Sequence, residues 1–168
     1  MPKVISPNES RAMVAAFAHL PFTPFEFHGF LGKRRTVSFG FKYDFAGQTL
    51  RPAEEMPAFI LELRGKAAEF SGIAPQDFVH AMITEYEPGA AIGWHKDRAE
   101  FGKVVGLSFA SAARFRFRKQ GGAGWERITH WVEPGSAYLL DGPARSQWEH
   151  SIPAVEALRY SVTFRTLR

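Results

Sequence analysis

His95 and Asp97, in the segment GWHKDR, make up the one His-x-Asp of the chain. On an extended strand, residues two apart project to the same side with Cα atoms roughly 6.5–7 Å apart. An imidazole and a carboxylate at that spacing can converge on one ion. A third ligand must come from elsewhere, and His150, in QWEHSIP at the end of another candidate strand, is the best placed. The chain holds six histidines and no cysteine, so a metal would have to be bound by His, Asp or Glu. Two imidazoles and one carboxylate form the facial set that leaves positions open on Fe(II) for a cosubstrate and oxygen. The same three ligands also suit a hydrolytic zinc ion.

A second pattern is independent of the first. In LRYSVTFRTLR, Arg159, Ser161, Thr163 and Arg165 share one face of a strand, while Tyr160, Val162 and Phe164 share the other. The two arginine Cα atoms would lie roughly 20 Å apart on a straight strand. Two such long side chains leaning inward can bracket a short dicarboxylate. Guanidinium forks match carboxylates and keep their charge at any working pH, and the hydroxyls between them add donors. A solvated basic edge strand is the other reading of this pattern, and paired arginines have no place in the zinc alternative.

The elements that must position these residues can be read from periodicity. Residues 9–20 read as a helix, capped by Asn8 or Ser6 and stopped by Pro21. Residues 36–45 alternate as a strand, with Val37, Phe39, Phe41, Tyr43 and Phe45 on one face. Residues 54–70 suit a second helix, with Ile60, Leu63, Ala67 and Phe70 on one stripe and Gly72 beyond its end. After residue 78 short strands follow one another: Phe78–Tyr86, Val104–Ala110, Arg114–Arg118, Arg127–Val132, Ser136–Leu140 and Leu158–Thr166. Pro88-Gly89 signals a turn after the first of them. Short strands at this spacing predict a sandwich or jelly roll within a single α+β, mainly β, domain.

Composition narrows the setting. The 168 residues suit one domain with a real core. No apolar run is long enough for a membrane span, and the N-terminus lacks a signal-peptide core. With no cysteine the chain fits a reducing cytoplasm, and a monomer is expected. The formal net charge of +4 favours polyanionic partners such as nucleic acid. Lys33, Arg34, Arg35 and Lys42 can hold phosphates, as can Arg116 within the alternating Arg114, Arg116 and Arg118. Phe115 and Phe117 between them read as core, and so does Trp94, which points away from His95.

Taken together and in this order, YEPGAAIGWHKD (Tyr86–Asp97), His150 and RYSVTFR (Arg159–Arg165) resemble the core of the AlkB-like Fe(II)/2-oxoglutarate-dependent dioxygenases. The resemblance covers about residues 78–168; the N-terminal half matches only in the position of a helix and of an RRTVSFGF-like strand. It implies a double-stranded β-helix (jelly-roll) core over 78–168, with N-terminal helices and a β lid over 1–77. It implies Fe(II) on His95, Asp97 and His150, 2-oxoglutarate as cosubstrate and O2 as oxidant. Arg159 would pair with the distal carboxylate, Arg165 would support the end nearer the metal, and Tyr86 would hydrogen-bond the cosubstrate. Thr84 and Ser161 stand where some members carry Asn. Ala99 stands where the prototype bacterial repair enzyme has an acidic residue that helps read the base, so the prototype's lesion range does not carry over.

The reaction so implied is oxidative demethylation of alkylated nucleobases in DNA or RNA, with hydroxylation or demethylation of tRNA, protein or a small molecule as the alternative. A hydroxylated N-methyl group breaks down to the free amine and formaldehyde. Such chemistry needs no protein nucleophile, and a base in a duplex would have to be flipped out.

Overall fold

The computed structural model describes residues 1–27, 30–44, 47 and 49–168. In chain order the elements are α1 (Pro7–Phe17), β1 (Thr23–Phe27), β2 (Phe30–Phe39), β3 (Phe41–Asp44), β4 (Thr49–Pro52) and α2 (Ala58–Ser71). A single 3-10 turn, Pro75–Asp77, leads to β5 (His80–Tyr86), β6 (Ile92–His95), β7 (Phe101–Phe109), β8 (Ala113–Gly121) and β9 (Gly124–Val132). β10 (Ala137–Leu140), α3 (Gly142–Ser146), β11 (Glu149–Ile152) and β12 (Arg159–Leu167) complete the chain.

Local chemistry sets the helix ends. Ser6 caps α1 in a reciprocal box: the Glu9 backbone N–H donates to Ser6 Oγ at 3.3 Å, and the Ser6 N–H donates to Glu9 Oε2 at 2.8 Å. The helix therefore starts two residues before the expected position 9, and it ends at Phe17 rather than 20. α2 begins only after Pro57, later than the expected 54, and closes on Gly72 in the left-handed conformation.

The expected strand over 36–45 is two strands. Gly40 breaks it with φ +77°, and its backbone passes so near the Val79 carbonyl that a Cβ there would lie 2.2 Å from the oxygen. Alternation runs straight through this break, because a period of two does not register a turn that keeps the phase. Phe39 is buried, and Phe41 starts the β3–β4 hairpin. Phe45 lies outside the described residues.

Two antiparallel sheets face one another. The larger has the order β1-β2-β5-β12-β7-β10, the smaller β6-β11-β8-β9. The outer face of the large sheet carries Ile83, Leu107, Val162 and Phe164 and packs on α1 and α2 through Phe17, Ile60 and Leu63. Its inner face meets the small sheet across a second cluster that includes Tyr86, Val104, Phe115, Leu140 and Ile152. This is the expected double-stranded β-helix, with β2 of the N-terminal half built into the large sheet. Register decides what lines the interior. Arg159, Ser161, Thr163 and Arg165 stand opposite Tyr86, Thr84, Met82 and His80, and Ser161 and Thr163 stand opposite Ser108 and Gly106 on the other side.

Candidate metal centre

His95 ends β6 and His150 lies in β11; the two strands pair with these residues directly opposite, and the imidazole centroids are 4.3 Å apart. Asp97 lies just beyond β6. Its Oδ1 is 3.8 Å from His95 Nε2 and 3.9 Å from His150 Nε2. One ligand atom from each residue lies within 4.8 Å of the others, the one such group among the described residues. These atoms fit a divalent ion of the kind bound by imidazole and carboxylate. His95 Nδ1 is 2.9 Å from the Gly93 carbonyl, an arrangement in which Nδ1–H donates and Nε2 is left to bind metal. Burial, opposed by Asp97 and aided by Arg165 and Arg145, pulls the His150 imidazole down to about 4, so at neutral pH it is an uncharged ligand. Asp97 is buried, which pushes its carboxyl upward, but Arg165, His150, His95 and Arg145 outweigh burial and hold it below the usual range. Asp97 and His150 thus stand in the protonation states a metal needs.

Beside this triad lies a polar pocket on the inner face of the large sheet. Arg165 is fully engaged: Nη1 donates to Thr163 Oγ1 at 2.8 Å and contacts His80 Nδ1 at 3.3 Å, and Nη2 is 3.7 Å from Asp97 Oδ1. Burial and Arg165 keep His80 neutral, so its Nδ1 can accept. Arg159, at the other end of the strand face, is fully enclosed, and among the described residues none of its three guanidinium nitrogens has a hydrogen-bond partner. Its Cζ lies 5.1 Å from the centre of the Tyr86 ring. A buried guanidinium without partners is costly unless an anion completes it. Thr84 and Ser161 are both buried and face each other across the β5–β12 pair between the two arginines. The donors of this pocket thus fit a dicarboxylate.

Of the four residues singled out for substrate contact, the three whose side chains are described, Arg34, Arg35 and Arg116, do not converge. Arg34 is half-buried on the inner side of β2, stacked 3.9 Å over the Phe25 ring; burial lowers its pKa and Tyr86 opposes that. Arg35 points to the other side, where Nε donates to the buried Glu85 at 2.6 Å, so its charge is neutralised within the fold. Glu85 also accepts from the Tyr160 hydroxyl at 3.0 Å. Arg116 belongs to the outer face of the small sheet, and the side chain of Lys42 lies outside the described residues. Of the cations near the mouth, the Lys33 ammonium comes to 3.6 Å of the place a Cβ would take on Gly89. That glycine, at φ +84°, completes the predicted Pro88-Gly89 turn, closed by the Ala90 N–H donating to the Glu87 carbonyl at 2.8 Å.

Two residues escaped the sequence reading. Arg145 in α3 is buried and donates to the carbonyls of Phe101 (2.7 Å), Gly102 (2.9 Å) and Asp97 (3.2 Å), and also to that of Arg98. It clamps the loop that carries the carboxylate ligand. Tyr138 on β10 stands opposite Gly106, and its ring fills the space above that glycine; an added Cβ there would lie 2.1 Å from Cζ. Burial pushes the Tyr138 hydroxyl well up, Arg159 partly offsets this, and the group remains a protonated donor inside the pocket.

Comparison with known proteins agrees with this geometry. The family model of the 2OG-Fe(II) oxygenase superfamily matches residues 8–165. Mouse DNA oxidative demethylase ALKBH2 is 31% identical over 144 residues, covering 76% of this chain and 58% of the relative. The human ALKBH2 is 30% identical over 142 residues, covering 76% and 53%. The matches thus span little more than half the length of these relatives. The solved structure of OsALKBH1 superposes with a TM-score of 0.70 over 99% of this chain and 95% of its own, at 15% identity, and so shares the fold.

Proposed function

Because the chain belongs to the 2OG-Fe(II) oxygenase superfamily, as an AlkB-like 2-oxoglutarate-dependent dioxygenase, we propose that it demethylates alkylated nucleobases in DNA or RNA. The observation that carries the site assignment is the pairing of a convergent His95, Asp97 and His150 with a buried Arg159 that lacks any partner among the described residues. The relatives named as DNA oxidative demethylases and the net charge of +4 support a nucleic-acid substrate.

Bound Fe(II) and 2-oxoglutarate supply the oxidation: O2 is split so that one atom enters succinate with loss of CO2 and the other is inserted into a substrate C–H bond. The chain's own residues prepare that event. His95, Asp97 and His150 would hold the ion, and Arg145 fixes the loop bearing Asp97. Arg159 would take the distal carboxylate, with Tyr86 beside it. Arg165, tied to Thr163 and His80, holds a positive charge against Asp97 and the near end of the pocket. An N-methyl group that gains the oxygen atom becomes N-hydroxymethyl, which loses formaldehyde and leaves N–H. Lys33 and Arg34, on the rim beside Tyr86 and the Pro88-Gly89 turn, would hold the phosphates of a base presented single-stranded or flipped.

The test is 2-oxoglutarate turnover, read as succinate, against methylated DNA and RNA oligonucleotides, with unmethylated oligonucleotides and methylated peptides as controls. Formaldehyde released in step with succinate on methylated oligonucleotides is the expected result. Coupled turnover confined to peptides would overturn the nucleic-acid reading.

A further inference from the structure

The outer face of the small sheet is turned away from the metal ligands and takes no part in the reaction above. Register brings Arg114 opposite Trp131, Arg116 opposite Thr129, Arg118 opposite Arg127 and Gln120 opposite Trp125, all on this one face. On the neighbouring strand β11, Glu149 and Ser151 stand opposite Arg118 and Arg116. Trp94 joins them from β6. Its ring lies 5.0 Å from the Arg116 Cζ and 4.6 Å from that of Arg118, and Arg118 stacks on Trp125 as well, at 4.2 Å. The result is an ordered Trp94–Arg118–Trp125 stack rather than a set of loose surface side chains.

Two properties single this face out. The first is charge: four guanidinium groups meet one carboxylate, Glu149, which is taken by Arg118 at 2.6 Å. Arg116 bonds only the Ser151 hydroxyl, and among the described residues Arg114 and Arg127 have no acidic partner. The second is exposed aromatic surface: Trp131 is 61% exposed and Trp125 42%. A merely solvated basic face has no need of open indole rings. A second copy of the chain fits poorly, because two such faces would repel each other. Open indoles flanked by unpaired guanidinium groups match a strand that offers base faces and phosphates together, which a single strand does and a duplex, with its bases stacked inside, does not.

We propose that this face is a second nucleic-acid site, which holds a single-stranded flank of the substrate. Bases stack on Trp131 and Trp125, and phosphates lie on Arg114 and Arg127. The two tryptophans are six residues apart on β9, roughly 20 Å, room for a few extended nucleotides. β9 is one edge of the sheet and β6, where Trp94 precedes the ligand His95, is the other, so a strand that crosses β8 and β11 past Trp94 and rounds the β6 edge joins platform and pocket. The proposal rests on the nucleic-acid reading and adds a surface to it.

The experiment measures fluorescence anisotropy of a labelled, unmethylated single-stranded oligonucleotide with the full chain at several salt concentrations. The variants are Trp131→Ala, Trp131→Phe and the double variant Arg114→Gln/Arg127→Gln. All lie at exposed positions, and an unchanged thermal midpoint checks the fold. Trp131→Ala is expected to weaken binding by at least about 5-fold, with Trp131→Phe keeping most of the affinity, since stacking needs a ring and not an indole. The double variant is expected to flatten the log–log salt slope by about 1.4, two phosphate contacts' worth on a single strand. Wild-type-like binding and slope in all three variants would overturn the platform and leave the nucleic-acid reading standing. Absence of any salt-dependent binding by the wild type would sink that reading and the platform with it. A dimer in solution that Trp131→Ala dissociates would assign the face to a second copy and overturn the proposal.

Discussion

Arg159 and Arg165 occupy the two ends of one strand face, are both buried, and live in opposite circumstances. Arg165 is bonded to Thr163, contacts His80 and lies against Asp97. Arg159 has Tyr86 beneath it and no hydrogen-bond partner among the described residues. A protein tolerates an unpaired buried guanidinium only where something outside the fold completes it. The near arginine therefore belongs to the wall of the site, and the far one is proposed to hold its cargo. Fold stability and cosubstrate affinity should separate along β12.

The sharpest way to break this contrast is Arg159→Met, which keeps bulk and removes charge. Charge-assisted hydrogen bonds contribute roughly 1.5–3 kcal/mol each, so 2-oxoglutarate affinity should fall about 100-fold or more. The ligand-free variant should be more stable than wild type, by roughly 1–3 kcal/mol, because an uncompensated buried charge is gone. Anaerobic titration of the Fe(II)-loaded protein, followed by metal-to-ligand charge-transfer absorbance, reads the first effect, and denaturant unfolding reads the second. Unchanged cosubstrate binding would show that Arg159 is not the anchor.

Arg165→Met should do the reverse. It strips partners from His80, Thr163 and Asp97, and should destabilise the ligand-free fold by about 2–4 kcal/mol. It should also move the acid limit of metal capture. In the wild type Asp97 is held low because its neighbours, Arg165 foremost, outweigh burial. Without Arg165 burial gains weight and the carboxyl rises. Since the carboxylate is the binding form, Mn(II) affinity should be lost at a higher pH in the variant than in the wild type as pH falls. Calorimetric Mn(II) titrations across pH 4–7 would show it, and coincident profiles would dissociate Arg165 from Asp97.

Tyr138 tests whether the pocket extends sideways to β10, in the row of Thr163 and Gly106. Tyr138→Phe removes one donor while the ring stays over Gly106. Cosubstrate affinity should fall roughly 10-fold, with metal affinity unmoved, in the same pair of titrations. Wild-type affinity for 2-oxoglutarate would place the hydroxyl outside the bound ligand's reach.

Much of this contrast was legible before the fold was seen, for a definite reason. His95, Asp97 and the Arg159–Arg165 face are short-range patterns, and a period of two already tells which side chains share a face. The turn at Gly89 was equally local. What escaped depends on distant pairing. Tyr138 matters because β10 lies beside β7 at Gly106, thirty-odd positions earlier in the chain, where the absent side chain leaves it room. Arg145 leaves no signature because its partners are backbone carbonyls, which any sequence supplies. Arg34 and Arg35 looked equivalent as neighbours in a basic run, yet alternation sends one toward the pocket and the other onto Glu85. Trp94 was read as core because it points away from the metal; the outer face it joins is instead a layer of stacked arginines.

Ser108 offers the finest test of the contrast. It stands opposite Ser161 on the inner face and is fully buried. Its backbone is tied on both sides: its N–H donates to the Ser136 carbonyl at 3.0 Å, and its carbonyl accepts from the Gly135 N–H at 2.7 Å. Only its hydroxyl lacks a partner among the described residues. If that hydroxyl served the fold, Ser108→Ala would destabilise the ligand-free protein by about 1 kcal/mol, the usual loss for one hydrogen bond. If it is held in reserve for the cosubstrate, as the guanidinium of Arg159 is proposed to be, the ligand-free variant should match or exceed wild-type stability. The cost should appear only on titration, as a 2-oxoglutarate affinity lowered roughly 2- to 5-fold. Denaturant midpoints without and with saturating 2-oxoglutarate separate the two cases. A midpoint that drops equally in both conditions would show that Ser108 belongs with Arg165 in the wall.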